Sequence, residues 1–255
     1  MISPSTAVGI DIGGTGIKGA VVDLSTGTLV TDRIKLPTPA GGSPEGILEV
    51  TAALLEKLQP GSDVPVGVTF PAVVKHGVTL SAANVSKKWI GLQAEELFEQ
   101  TLKRDITFVN DADAAGYAEA QFGAAQGIEG VALMTTLGTG IGTAILHNGV
   151  LVPNAELGHL EVDGVDAETR ASNAARERED LSWKEWAKRL QTFYSRLEFY
   201  FSPDLFIVGG GVSKHHEHFL PRLSLNAPIV PAVHRNNAGI LGAAALAVRT
   251  IPPLS

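Results

Sequence analysis

Cysteine is absent from this 255-residue chain, which removes disulfides, thiol catalysis, iron–sulfur clusters and thiolate zinc sites together. Any metal must sit on oxygen or imidazole. Positive charge is scarce: 20 Lys and Arg face 27 Asp and Glu, a formal net charge of -7. That balance argues against a nucleic-acid partner, while leaving room for a local basic patch that holds a polyanion. Long apolar runs are missing too. The longest, GILGAAALAV from Gly239, is too short to span a bilayer, and MISPSTAVGID at the N-terminus has no basic region followed by an apolar run, so a cytoplasmic protein without a membrane partner is expected. No G-x-x-x-x-G-K-[ST] occurs, which excludes a P-loop. The remainder is ordinary globular composition, 44% hydrophobic and 18% charged, enough for one large domain or two modest ones.

What is present begins with glycine. GIDIGGTGIKGAVVD, Gly9–Asp23, matches G-x-G-x-x-G at Gly14, Gly16 and Gly19. A dinucleotide-binding turn requires a helix next, but Ala20–Asp23 followed by STGT reads as a second strand ending in a turn, so the glycines sit in a hairpin. An echo follows in ALMTTLGTGIGTAILHNGVLV, Ala132–Val152, with Gly-Thr-Gly-Ile at both turns, Gly14–Ile17 and Gly138–Ile141. The echo argues for two related lobes; a chance likeness between glycine-rich hairpins is the alternative. Elsewhere the pattern predicts a helix from Pro44 to about Leu58, a buried strand VPVGVTF, a helix near Leu92 to Leu102, and a strand DITFVND running into an Ala-rich helix. VDAETRASNAARERED reads as a polar stretch, Ser182 caps a helix through WKEWAKRLQTFYSRLEFYF, PDLFIVGGGVSK reads as strand, turn and helix start, and NNAGILGAAALAV as a closely packed final helix. Strands alternating with helices make the chain α/β.

Three glycine turns, DIGGTGIK, TLGTGIG and VGGGVSK, each follow an apolar strand. Unhindered backbone N–H groups in such turns can point at an anion, so the set favours phosphate cradles where each turn alone is only a tight turn. Asp11 could hold hydrated Mg2+, and Lys18 could neutralise a phosphoryl group. In FVNDADAAG, Asp111 is either a helix cap or a general base that takes a proton from an attacking hydroxyl. Asp113 is available for the cap, leaving Asp111 for chemistry and Asn110 to orient a sugar. In NAELGHLEVDG, Glu156, His159 and Glu161 suit adjacent sugar hydroxyls; a metal site is the rival reading of His159, with no cysteine or second nearby histidine to complete it. Asn84, ahead of Trp89, could close the pocket.

DIGGTGIK, NDADAAG, LGTGIG, ELGH and VGGGVSK, in this order over nearly the whole chain, resemble the ROK family of sugar kinases and repressors. The resemblance implies a two-lobed actin-like ATPase (ribonuclease H-like) sugar kinase fold, with residues 1–111 plus 238–255 forming a small N-terminal lobe with a returning C-terminal helix and residues 112–237 a large C-terminal lobe. It implies that Asp111 is the catalytic base and that Asn84, Asn110, Asp111, Glu156 and His159 contact the sugar. Asp11, Gly13, Gly14, Thr15 and Lys18, then Thr136, Gly138, Thr139 and Gly140, and finally Gly209, Gly210 and Gly211 would surround the phosphoryl donor. Many members follow the Gly-His pair with a Cys-rich zinc loop and a further sugar-binding glutamate. Here no cysteine exists, zinc is not expected, and Glu161 or Glu168 stands for that glutamate.

LSWKEWAKRL, FSPDLFIVGGGVSK and RNNAGILGAAALA look like the actinobacterial polyphosphate glucokinases, polyphosphate/ATP glucomannokinases among them. Lys184 and Lys188 fall one helical turn apart, and Arg189, Arg196, Lys214, His215 and Arg235 add positive charge. A polyphosphate-binding role for Lys184, Lys188, Lys214 and Arg235 competes with a plain solvated face above buried Trp183, Trp186 and Leu190. The resemblance implies a Mg2+-dependent kinase that phosphorylates the 6-hydroxyl of glucose or mannose from polyphosphate or ATP, as a homodimer. The alternatives are an ATP-only hexose or N-acetylhexosamine kinase and a sugar-responsive regulator; a repressor's helix-turn-helix has no room ahead of Asp11.

Overall fold

The computed structural model describes residues 5–248. The chain divides into two compact units, Met1–Ala118 with Asn237–Ser255, and Glu119–Asn236. In the first, β1 (Thr6–Ile12) turns through a glycine loop into antiparallel β2 (Ile17–Asp23), with Ile12 opposite Ile17. Strands β3 (Thr28–Leu29) and β4 (Ile34–Leu36) both pair with β2. On the other side β5 (Val66–Phe70) lies parallel to β1. After a small separate hairpin of β6 (Val74–Lys75) and β7 (Val78–Thr79), β8 (Thr107–Asn110) pairs parallel with β5. The resulting order is β3-β2-β1-β5-β8.

Helix α1 (Pro44–Leu58) begins where expected. The Ser43 hydroxyl accepts from Gly46 N at 3.3 Å, and Pro44 occupies a first-turn position that needs no N–H. With α2 (Ala94–Leu102) it covers one face, where Trp89 stacks on Phe98 at 5.8 Å and Phe70 packs on Trp89 at 4.6 Å. Such fully buried rings contribute on the order of 2–3 kcal/mol each. From β8 the chain enters α3 (Asp111–Phe122) directly. The helix Ala238–Ala247 returns to this unit and lies on bare backbone: a methyl group at Gly9 or Gly67 would overlap the carbonyl oxygens of Ile240 and Ala243, and one at Gly242 that of Ala114. Close approach, rather than turn geometry, demands these glycines.

The second unit repeats the plan. Strands β9 (Val131–Leu137) and β10 (Ile141–His147) form the second glycine hairpin, and β11 (Val150–Val152) extends β10. The two-residue strands β12 (Glu161–Val162) and β13 (Val165–Asp166) pair separately. The expected polar stretch contains α4 (Glu168–Ala171) and α5 (Asn173–Arg178), the latter capped by Ser172. A reciprocal Ser182–Glu185 capping box starts α6 (Trp183–Phe201), whose Trp186, Phe193 and Tyr194 fill the core beside Phe206 and Phe219. Strands β14 (Leu205–Gly209) and β15 (Ile229–Pro231) complete the order β11-β10-β9-β14-β15. The third glycine turn leads into a 3-10 run, Gly211–His218, instead of an α-helix.

Candidate active site

Ligands of open α/β sheets collect beyond the carboxyl ends of parallel strands. In the first unit the ends of β1, β5 and β8 carry Asp11, Thr69 and Asn110, with Asp111 next in the chain. Asp11 and Lys18 face each other across the hairpin; Lys18 Nζ donates to Asp11 Oδ2 at 3.1 Å and Thr69 Oγ1 to Asp11 Oδ1 at 3.0 Å. The ammonium therefore already has a carboxylate partner in this structure. The turn between them is closed by Gly13 N donating to Gly16 O at 3.1 Å, while Thr38 Oγ1 donates to Gly13 O at 2.5 Å. Gly14 and Thr15 are exposed. Asn84, in the left-handed region at φ 60°, packs on Gly14, so the structure brings this candidate to the first turn.

Asn110 caps α3. Its Oδ1 accepts from Ala112 N at 2.8 Å and Asp113 N at 3.0 Å, and its Nδ2 donates to Ala72 O at 2.9 Å. This corrects the expectation that Asp113 supplies the cap: Asp113 lies inside the first turn, whereas a capping side chain must precede it. One N–H of the Asn110 amide remains for a ligand. Asp111 is the first helical residue, its Oδ1 accepting from Ala112 N at 2.8 Å, at the helix end that favours negative charge.

In the second unit, Gly138 N donates to Gly140 O at 3.0 Å, and Thr139 is exposed at the tip. Thr136 on β9 sits beside Gly209 on β14. Gly210, at φ 81°, lies against the Leu137 backbone so closely that a side chain would overlap it. The second and third glycine turns thus lie together.

Near them, Leu157–His159 forms a single 3-10 turn after Glu156. His159 Nδ1 is 2.8 Å from Asp166 Oδ2 and 3.9 Å from Glu168 Oε1, while Glu168 Oε2 accepts from Ile141 N at 3.0 Å. Of the two candidates for the later glutamate, Glu168 reaches within 3.9 Å of His159 Nδ1, while Glu161 is exposed on β12. Asp166 escaped sequence reasoning, although a signal existed. Asp163-Gly164 between two valines is a two-residue hairpin turn, both residues having positive φ (54° and 80°), which brings Asp166 opposite Glu161. The hydrogen bond to Asp166 is the main cause holding the His159 ring above its usual pKa; burial opposes it, and the charges of Glu168, Asp166 and Glu156 add to it. Protein packed around the Glu156 carboxyl raises that group although it keeps solvent access, with His159 opposing and Glu168 reinforcing.

Two clusters have spacing that a cation could use: His159, Asp166 and Glu168, and His215, Glu217 and His218, the ligand atoms of each lying within 4.8 Å of one another. Lys184, Lys188, Lys214 and Arg235 are all exposed, but on different elements. Lys184 and Lys188 share α6, Lys214 belongs to the 3-10 run, and Arg235 heads the turn before the returning helix. Lys188 lines a cavity of about 210 Å³ with Arg170 and Arg189. Among the described residues, no helix is long and apolar enough to cross a membrane.

The sequence profile of the ROK family matches residues 7–179. A polyphosphate glucokinase of Mycobacterium tuberculosis is 46% identical over 94% of this chain and 90% of its own. The crystal structure of an inorganic polyphosphate/ATP-glucomannokinase from Arthrobacter sp. strain KM superposes with a TM-score of 0.91 at 53% identity, covering 96% of this chain and 98% of that one. A ROK family glucokinase from Streptomyces griseus, solved with glucose and AMPPNP, gives a TM-score of 0.81 at 27% identity, over 94% of this chain and 98% of its own.

Proposed function

The chain belongs to the ROK family, and from that premise we propose that it is a glucokinase using inorganic polyphosphate as well as ATP to phosphorylate the 6-hydroxyl of glucose, with mannose as a second acceptor. Its fold is the actin-like ATPase fold of ROK sugar kinases. Near full-length similarity to polyphosphate glucokinases carries this reading, and the position of Asp111 supports the chemistry.

Asp111 takes the proton from the sugar hydroxyl as its oxygen attacks the terminal phosphorus. The P–O bond to the donor breaks, and a shortened polyphosphate or ADP departs with the electron pair. Asn84, Asn110, Glu156, His159 and Glu168 hold the sugar, Glu168 serving as the later glutamate. The turns Gly13–Thr15, Gly138–Gly140 and Gly209–Gly211 present backbone N–H groups to the donor phosphates. Oxygen donors suit Mg2+; Asp11 would hold it through water, and the ion would supply charge neutralisation on the phosphates. The exposed lysines of α6 and Lys214 serve the longer donor.

A glucose phosphorylation assay with polyphosphate or ATP as sole donor tests this reading. Product from both supports it, and product from ATP alone removes the polyphosphate half. Asp111→Asn should lower kcat by roughly 10²–10⁴-fold with glucose affinity by calorimetry nearly unchanged. Loss of glucose binding in step with turnover would remove the general-base role.

A further inference from the structure

His159 emerges from a single 3-10 turn with half of its side chain exposed to solvent, 54%, so little packing fixes its ring. Recognition of a hydroxyl nevertheless needs one ring nitrogen at a defined place and in a defined protonation state. The constraint comes from the neighbouring hairpin. Asp166 Oδ2 stands 2.8 Å from His159 Nδ1, and an ionised carboxylate can only accept, so the shared hydrogen resides on Nδ1.

Asp166 is itself held on three sides. Its backbone pairs with Glu161 in the β12–β13 ladder, its Oδ1 accepts from Glu168 N at 3.0 Å, and its carbonyl accepts from Thr169 Oγ1 at 2.6 Å. The hairpin is anchored through Val162, which is buried in the unit's core. Glu168, the rival partner, lies 3.9 Å from Nδ1 and has its Oε2 committed to Ile141 N.

We propose that Asp166 is a positioning residue for His159: its carboxylate fixes the tautomer and aim of the imidazole, so that Nε2 is presented to a sugar hydroxyl. This rests on the reading of His159 as a sugar contact. Because both partners are substantially exposed, 54% and 38% at the side chain, the pair contributes little to folding. Its removal should register in sugar recognition.

The test compares His159→Ala, Asp166→Ala, Asp166→Glu and the double alanine variant by steady-state kinetics, thermal melting and metal content. Asp166→Ala should raise KM for glucose about tenfold, the effect of losing one hydrogen bond to a charged group, with kcat and donor KM changed much less and Tm lowered only slightly, by the loss of the Oδ1 bond to Glu168 N. Asp166→Glu should recover part of the loss. The double variant should be no worse than His159→Ala; a larger loss would mean that the aspartate acts through Glu168, whose N–H its Oδ1 accepts, and would overturn the assignment. A raised glucose KM in His159→Ala with none in Asp166→Ala would overturn the assignment while leaving the sugar pocket intact. An unchanged KM in both would remove the sugar reading of His159, and the inference with it. Stoichiometric bound metal that disappears in Asp166→Ala would also overturn it, since the carboxylate would then serve as a ligand.

Discussion

The two glycine hairpins share a backbone plan but differ in where their acids come from. Each inner strand has an antiparallel partner on one side and a parallel strand on the other: β1 between β2 and β5, β9 between β10 and β14. The first hairpin carries its own ion pair, Asp11 opposite Lys18. At its tip the second has uncharged Thr136, Leu137, Thr139 and Ile141, and its acid arrives from elsewhere in the chain, Glu168 accepting from Ile141 N. A sheet plan can therefore recur while its chemistry is distributed differently: one unit writes the charge into the strands, the other borrows it from an irregular segment.

The largest expected effect comes from testing the packing side of this contrast. The returning helix lies directly on β1 at Gly9, whereas the second unit packs through large aromatics on α6. Gly9→Val should therefore cost about 3 kcal/mol in denaturant unfolding, since overpacking against backbone cannot relax by rotamer change; a loss under about 1 kcal/mol would mean the helix slides aside. Next, Lys18→Met takes from the first hairpin the cation opposite Asp11, a position where the second hairpin has Gly142 opposite Thr136. It should destabilise by about 1 kcal/mol, and adding Asp11→Asn should recover most of that stability, a double-mutant cycle deciding whether the pair is mutual. The smallest effect on folding belongs to Gly138→Ala: a methyl group there meets nothing within 4 Å, so stability should stay within about 0.5 kcal/mol while KM for the phosphoryl donor rises. An unaltered donor KM would separate this turn from the phosphates.

The parts legible in the sequence are those specified by neighbours in the chain. The helix from Pro44 and the Ser182 cap announced α1 and α6, where the structure adds a Ser43 cap and a Glu185 partner to Ser182, and the Gly-Thr-Gly-Ile echo announced two hairpins that do form. The Asp11–Lys18 pair was not among the expectations, which gave Asp11 to Mg2+ and Lys18 to a phosphoryl group, although the four residues between Ile12 and Ile17 fix which side chains face each other. What stayed hidden depends on contacts across longer separations or on irregular backbone. Glu168 meets Ile141 N only after β12, β13 and the start of α4 have folded. Helices α4 and α5 are too short for periodicity to reveal. Asn110 outcompetes Asp113 for the cap on position alone, a difference that amino-acid type cannot signal because both are good capping residues.

The return of helix Ala238–Ala247 to the first unit has a further consequence, for the order in which the protein is made. Synthesis proceeds from the N-terminus, and domains generally fold as units while it does. The second unit is contiguous, Glu119–Asn236, whereas the first needs both ends of the chain. As a nascent chain emerges from the ribosome, the strands made first keep one apolar face uncovered until the helix made near the end arrives. Glu119–Asn236 is thus synthesised in full before the helix that completes the first unit.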